Sequence, residues 1–241
     1  DVEPAEVLLE RILEERRERW YKSRYSDPVS AEVQSEPPEI PDNWLTVSFD
    51  AVLSHVTSGP RGWSEYYHEG EGVFILAQNV RPGRLNLSET KNVNPPDDAS
   101  GRERARVMEN DLLVTIVGAN TGDVCRVNRP LQDHWVCQSV ALMRPVLPIM
   151  SRYLELYLNS QFGKREYELR AYGQGRPHLN FGQLKSTPLL LPPLDEQKQI
   201  VAEVERLLSV AEDAVQTVEN ENTRAARLRQ SILKQAFSGT L

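Results

Sequence analysis

The sequence predicts an α+β fold: a short N-terminal helix, a mixed α/β central domain and one long coiled-coil-type helix. Three observations predict it. Apolar or small residues recur in steps of four and three at Ile200, Val204, Leu207, Ala211, Ala214 and Val218, then at Ala225, Leu228 and Ile232. That heptad seam marks a helix that pairs with another long helix. Short β-branched runs bounded by Gly, Pro, Asn and Asp crowd residues 45–145, a strand pattern. Pro28, Pro37, Pro38 and Pro41 separate these runs from a charged amphipathic segment at the N-terminus.

In chain order, residues 1–25 are the first segment. A helix is read over 4–24, with Leu8, Leu9, Ile12 and Leu13 on one face and Glu and Arg around them. Residues 26–42 lack apolar periodicity and read as a linker. The central domain spans 43–193. Its strand runs are Leu45 to Phe49, Gly72 to Val80, Asp111 to Ala119, Asp123 to Val127 and Trp135 to Pro145. Helical breaks are expected at Phe49 to Leu53 and around Ser151 to Leu158, with helical spacing at Tyr153, Leu154, Leu156, Tyr157 and Phe162. Gly173 to Asn180 reads as a loop, Phe181 to Leu184 as a helical turn and Thr187 to Leu191 as a last strand.

The long helix fills 194–237. Pro192 and Pro193 stop the strand before it, and Asp195 is expected as its N-cap. At ~1.5 Å per residue the helix is a rod of roughly 60 Å. A domain of about 150 residues is only roughly 30–35 Å across, so the rod exceeds what its own domain can cover. Glu221 stands at a core position of the seam, where an unpaired carboxylate is costly. Either it meets an Arg across the pair or the seam opens locally.

The net charge of −7 is unevenly placed. Residues 1–42 carry 6 basic and 12 acidic side chains, residues 194–241 carry 6 and 8, and residues 43–193 carry 16 and 15. The acidity sits in the arm and the rod. In the centre, Lys164, Arg165, Arg170, Arg176 and Lys185 make a local basic stretch that suits phosphate. The longest apolar run, Pro188 to Leu194, is too short for a membrane span, so no membrane role is expected. Residues 1–25 lack the apolar core of a signal peptide. Cys125 and Cys137 fall in strand-like runs, so free buried thiols and a cytoplasmic location are expected. No paired histidines accompany them, and no metal site is expected. The chain begins at Asp1 rather than Met, as the tail of a longer polypeptide would.

Thr187 to Leu208, followed by Arg227 to Leu241, resembles the distal region of specificity (S) subunits of type I restriction–modification systems. The shared residues are Pro192, Pro193 and Leu194 with Glu196 and Gln197, then Ile200 and Val201. Leu228, Ser231, Ile232, Leu233, Ala236, Phe237, Gly239 and Leu241 complete them. Glu109 to Val127 is similar to the Gly-Asp-Leu-Leu strand pair of a target recognition domain of that family, with Asn110 where Gly is more usual. Gly173 to Leu194 resembles that domain's glycine loop and last strand, and Ser58 to Val80 resembles one subgroup of such domains. Ala5 to Trp20 is similar to the central spacer between the halves of a full S subunit. Leu85 to Arg106 carries no resemblance. Full S subunits have two recognition domains and two long helices. This chain has one of each and resembles a half subunit, either the second half of a longer protein or a naturally short one.

The candidate DNA contacts lie on the loops. Gln174, Arg176, His178 and Asn180 share the loop in which Gly173 and Gly175 let the backbone approach a surface. Gln and Asn can pair bidentately with adenine, and Arg with guanine. Arg61 and Trp63 lie among Tyr66 and Tyr67 on a loop suited to backbone contact and base stacking; Trp63 could equally be a core anchor. Gln78 and Asn79 end a strand, where their amides read bases or close a turn. Asn120 and Thr121 stand at the tip of the hairpin turn Gly118 to Gly122, which lacks the Lys-Ser/Thr of a P-loop.

Catalytic patterns are absent from the sequence. Asn94-Pro95-Pro96 is followed by Asp97 rather than the aromatic that would stack on a flipped base, and there is no nuclease cluster. The resemblance implies a sequence-specific DNA-recognition chain that reads one half of a bipartite site on double-stranded DNA and positions methyltransferase (M) subunits. No cofactor is expected on this chain. S-adenosylmethionine, ATP and Mg belong to partner subunits, including a restriction (R) subunit. The helix would pair with a second copy or with a second half S subunit. Two other readings stay open: the recognition tail of a fused restriction–methyltransferase enzyme, or a coiled-coil assembly protein without a DNA role.

Overall fold

The computed structural model describes residues 3–20, 25–97, 99, 101–173 and 175–238. The chain divides into two units, Asp1–Gln197 and Lys198–Leu241. The first unit opens on helix α1 (Ala5–Trp20), so its described end falls short of 24; residues 21–24 of the expected helix lie outside the described residues. Strands β1 (Leu45–Ser48), β2 (Leu53–Ser58), β3 (Tyr67–Ile75), β4 (Val80–Arg81), β5 (Arg84–Leu85) and β6 (Lys91–Val93) follow. Next come α2 (Arg102–Ala105), β7 (Leu112–Thr115), β8 (Val124–Arg126), β9 (His134–Val136) and β10 (Val140–Pro145). Helices α3 (Ser151–Asn159), α4 (Gln161–Arg170) and α5 (Phe181–Ser186), strand β11 (Pro188–Leu191) and helix α6 (Leu194–Ser238) complete the chain. The α+β class stands.

Four strands form an antiparallel sheet in the order β2-β10-β7-β8. Its inner strands are apolar on both faces. Alternation sends Leu113 and Leu142 into one core cluster with Trp63, Phe74, Ile75 and Trp135, and leaves Leu112 and Met143 on the other face, also buried. A second sheet, β6-β3-β9, pairs β3 antiparallel with β6 and parallel with β9. Strands β1 and β11 pair antiparallel, Leu45 facing Leu191 and Ser48 facing Pro188. The first and last strands of the domain are thereby tied together.

The run Trp135 to Pro145 is therefore two strands in two sheets, not one. Its break falls at Gln138 and Ser139, the polar pair inside it. Phe49–Val52 is a 3-10 turn, as the sequence suggests, but the strand β2 that follows, the short strands β4 to β6 and the helix α2 are not among the expected elements; nor is the run Gly72 to Val80 one strand, since β3 begins at Tyr67 and ends at Ile75 and Ala77–Asn79 form a 3-10 turn. Cys125 and Cys137 are buried and unpaired.

Residues 26–42 are not a free linker. Glu32 N donates to Ser186 O at 2.8 Å, and Val29 N donates to Asp50 Oδ2 at 3.2 Å. The fully buried Glu166 carboxylate accepts from Gln34 N, from Ser35 N at 2.6 Å and from the Ser35 hydroxyl. Arg170 completes the knot, donating to Glu166 at 2.9 Å and to Glu32 O. The basic stretch is correspondingly reduced: Arg170 is spent on Glu166, Lys185 lies 3.4 Å from the buried Asp50, and Arg165 pairs with Glu168.

Helix α1 is likewise committed. Ala5, Leu8 and Ile12 are buried against the 3-10 turn and β2. Arg16, also buried, donates to Leu53 O at 3.0 Å and lies 3.5 Å from Asp50. This face is covered within the first unit.

Helix α6 has 45 residues. It begins at Leu194, so Asp195 lies inside the first turn and not at the cap; there its charge complements the helix dipole. Glu196 accepts from Asn43 Nδ2 at 2.6 Å and from Trp44 Nε1 at 2.7 Å, which fastens that turn to the first residues of the domain. The seam is exposed from Leu207 through Ala211, Ala214, Val218 and Leu228 to Ile232, while Ile200 and Val204 are half-buried. Glu221 lies 3.8 Å from Arg224 on its own helix, an exposed pair of small energetic weight.

Candidate nucleic-acid interface

The glycine loop and the hairpin turn, 50 residues apart in sequence, are one structure. Gly118 N donates to Pro177 O at 3.2 Å and Leu179 N donates to Ile116 O at 2.9 Å. The Thr121 hydroxyl lies between two carbonyls, Gly118 O at 2.7 Å and Pro177 O at 2.9 Å. Gly173 and Gly175 adopt φ +98° and +78°, a region that disfavours side chains. A Cβ on Gly173 would also stand 2.8 Å from Arg176 O. The loop folds back on itself through paired hydrogen bonds between Tyr172 and His178, whose rings stack at 5.8 Å and 27°.

A second pair of segments adjoins this one. Ile116 N donates to Ser139 O at 2.9 Å, Cys137 N donates to Ile75 O at 2.9 Å, and Gly59 N donates to Cys137 O at 3.1 Å. Hydrogen bonds thus chain four segments in a row: the loop after β2, the turn 137–139, the hairpin 116–123 and the glycine loop. Gly59 is the tightest joint. A Cβ there would stand 1.9 Å from Val136 O and 2.5 Å from Cys137 C. Gly59→Ala should therefore cost about 1–3 kcal/mol through overpacking. A urea midpoint unchanged from the parent would contradict this joint.

The candidate residues divide by exposure. Arg61, Gln78, Arg176 and Asn180 are exposed, and Asn120, Thr121 and His178 are half-buried. Thr121 is tied up in the joint between loops. Asn180 caps α5, its Oδ1 accepting from Gln183 N at 2.9 Å. Trp63 and Asn79 are interior, 4% and 2% exposed. Trp63 packs on Phe74 and Trp135. The Asn79 amide closes its own turn, accepting from Leu76 N and donating to Asn86 O and Glu89 O. Both take the structural alternative that the sequence left open. Gln174 lies outside the described residues.

Two surface residues of this row, Tyr172 and Gln138, escaped the sequence, as did Lys91 on strand β6. Tyr172 is 55% exposed, Gln138 is exposed on the turn, and Lys91 holds its ammonium 4.8 Å from the Tyr67 ring centroid. The polar pair Gln138-Ser139 inside an apolar run was the available signal.

The row carries hydrogen-bonding and cationic groups and no catalytic constellation among the described residues. Guanidinium and amide groups stand on loops fixed by backbone hydrogen bonds, the pairing that reads purine edges. Burial pushes the thiols of Cys125 and Cys137 upward, away from thiolate reactivity. Among the described residues no cluster of three or more His, Cys, Asp or Glu could hold a metal ion, and no helix is long and apolar enough to cross a membrane.

The architecture is a mixed α+β body bearing a row of polar loops, followed in the chain by a long helix. The chain belongs to the type I restriction modification DNA specificity domain family, whose model matches residues 91–221. Specificity chains of this family are the non-catalytic ones.

Among relatives, the chain is 30% identical over 168 residues to the EcoBI type I restriction enzyme specificity subunit of Escherichia coli, covering 69% of this chain and 35% of that one. It is 27% identical over 201 residues to the EcoKI specificity subunit of Escherichia coli strain K12, covering 81% and 42%. The chain therefore spans roughly two-fifths or less of these relatives. Two solved structures share its fold. One, from work on complex assembly and conformational transition of the type I R-M system, has TM-score 0.61 at 20% identity, covering 98% of this chain and 58% of that one. The other, the HsdS subunit from Thermoanaerobacter tengcongensis, has TM-score 0.55 at 20% identity, covering 98% and 57%.

Proposed function

We propose that the chain reads one half of a bipartite site on double-stranded DNA and positions methyltransferase subunits there. The observation that carries this is the row of four hydrogen-bonded loops presenting Arg61 and Arg176 at the surface, with Gln78 exposed on the 3-10 turn that follows β3. Asn120 and His178 lie on the two segments that this joint ties together, and Asn180 ends the loop that carries Arg176. Phosphate contacts set register while base-edge contacts give specificity. Helix α6 pairs through Ile200, Val204, Leu207, Ala211, Ala214, Val218, Leu228 and Ile232 with the long helix of a second copy or second half subunit. At ~1.5 Å per residue it is long enough to keep two readers nearly two ~34 Å turns of DNA apart. S-adenosylmethionine, ATP and Mg act on the methyltransferase and restriction partners.

Arg176→Ala tests the reading of bases. On a bound duplex it should cost about 1–3 kcal/mol and relax preference at one base position. Fluorescence anisotropy over a set of single-position variants measures this. A uniform loss over all sequences would make Arg176 a phosphate contact, and no loss would remove it from the interface.

A further inference from the structure

A short hairpin outside the row of four loops brings two arginines to its flank. Strands β4 and β5 are joined by Pro82 and Gly83, and Gly83 takes φ +70°, a conformation that suits glycine. The register sets Arg81 directly opposite Arg84. Gly83 N donates to Val124 O at 2.9 Å, which ties this hairpin to β8 beside the turn 118–122. Arg81 reaches Asp123 at 3.8 Å. Helix α4 also meets this turn, for a Cβ on Gly122 would stand 3.5 Å from the Cβ of Tyr167. Lys164 precedes Tyr167 by three positions on α4 and so shares its side of the helix. Arg84 and Lys164 are exposed, and Arg81 is half-buried.

The charges here are not balanced. Like charges directly opposite on paired strands are destabilising, yet the fold sets two guanidiniums so. Arg81 has Asp123 as its carboxylate, and among the described residues no carboxylate pairs with Arg84 or Lys164. Burial raises the Asp123 carboxyl, and Arg81 and Lys164 both oppose that rise. Three cations thus gather round one carboxylate. Elsewhere in this unit the arginines are matched: Arg16 with Asp50, Arg126 with Glu155, Arg144 with Asp111 and Arg170 with Glu166. The positive surplus beside the turn 118–122 therefore lacks a partner within the fold.

We infer that Arg81, Arg84 and Lys164 hold the sugar–phosphate backbone of DNA beside the half-site. Two observations pick this partner. The surplus flanks the same turn whose Thr121 hydroxyl donates to Pro177 O, on the loop that carries Arg176, so the cations and a candidate base reader share one joint. Three basic side chains around a short polar turn also suit phosphate oxygens, whereas the centre of a protein–protein interface is depleted of charge. The proposal rests on the DNA-recognition reading and deepens it: these side chains set the register of the duplex and read no base.

The test measures duplex affinity against salt for the chain together with the methyltransferase subunits of its system. Each phosphate contact contributes about 0.9 to the slope of log affinity on log salt, so Arg84→Ala with Lys164→Ala should flatten that slope by about 2. The deficit of the double variant should then be about tenfold larger at roughly 50 mM salt than at roughly 200 mM. Both positions are exposed, so the melting temperature should stay at the parent's. Base preference should be unchanged at every position, and Arg84→Lys, which keeps the charge, should keep the slope. An unchanged slope in the double variant overturns the proposal, as does a loss confined to one base position. Loss of assembly with the methyltransferase subunits overturns it too, in favour of a protein-docking surface. All three leave DNA recognition intact. Failure of the parent chain to bind any matched duplex overturns recognition and this surface together.

Discussion

Replacing Val218 and Leu228 together with aspartate should leave the first unit folded and abolish pairing of the long helix. Both side chains are 60% exposed and lie ten residues apart on a seam that repeats in fours and threes. Burial in a partner's seam stabilises each by about 1.5–3 kcal/mol, and two desolvated carboxylates oppose pairing further. The association constant should fall at least about 100-fold, a change that sedimentation equilibrium at fixed protein concentration resolves. Circular dichroism should keep the sheet contribution, because neither residue belongs to the first unit. Unchanged mass in the double variant would mean that association runs through another surface. Glu221 sharpens the test: Glu221→Leu should strengthen pairing if the carboxylate interrupts the seam.

Glu166→Ala should be the most destabilising single change in the domain. The carboxylate is fully buried and holds Arg170, itself buried, at 2.9 Å. It also holds the backbone of Gln34 and Ser35. Removing it leaves a guanidinium without its counter-charge and two backbone donors without their acceptor. Breaking one side of such a pair costs about 3–5 kcal/mol. Urea denaturation should show it, and the segment 26–42 should become protease-sensitive before the domain unfolds. The double change Glu166→Ala with Arg170→Ala should cost less than the sum of the singles. A loss under about 1 kcal/mol for Glu166→Ala would show that the segment 26–42 is held elsewhere.

How much of this was legible follows from the range of each signal. Helices α1 and α6 are written in apolar spacing, a local pattern, and both were placed within a few residues. Strand β8 is placed within a residue at each end, while the run Asp111 to Ala119 finds the start of β7 and overshoots its end at Thr115 by four residues. The run Trp135 to Pro145 hid its boundary altogether: apolar on both faces, it gives no alternation to show where one strand stops. Strands β4 to β6, of two or three residues, exist only through partners distant in sequence. The anchoring of residues 26–42 was hidden for the same reason. Its polar residues look solvated until Glu166, more than 130 positions away, supplies the acceptor.

In the candidate interface, Arg61, Gln78 and Arg176 were legible as exposed polar residues on loops. The loop joint through Thr121 was not, because it is a tertiary contact. Asn79 shows the limit from the other side: an amide after a strand reads equally as a base contact or as a turn lock, and only its three backbone partners decide it.

Selection of bound sequences from a random duplex pool tests the central claim most directly, run with and without the methyltransferase subunits. The account predicts enrichment of a split motif whose two parts stand at one constant spacing, set by the paired long helices. No enrichment in either condition would contradict it.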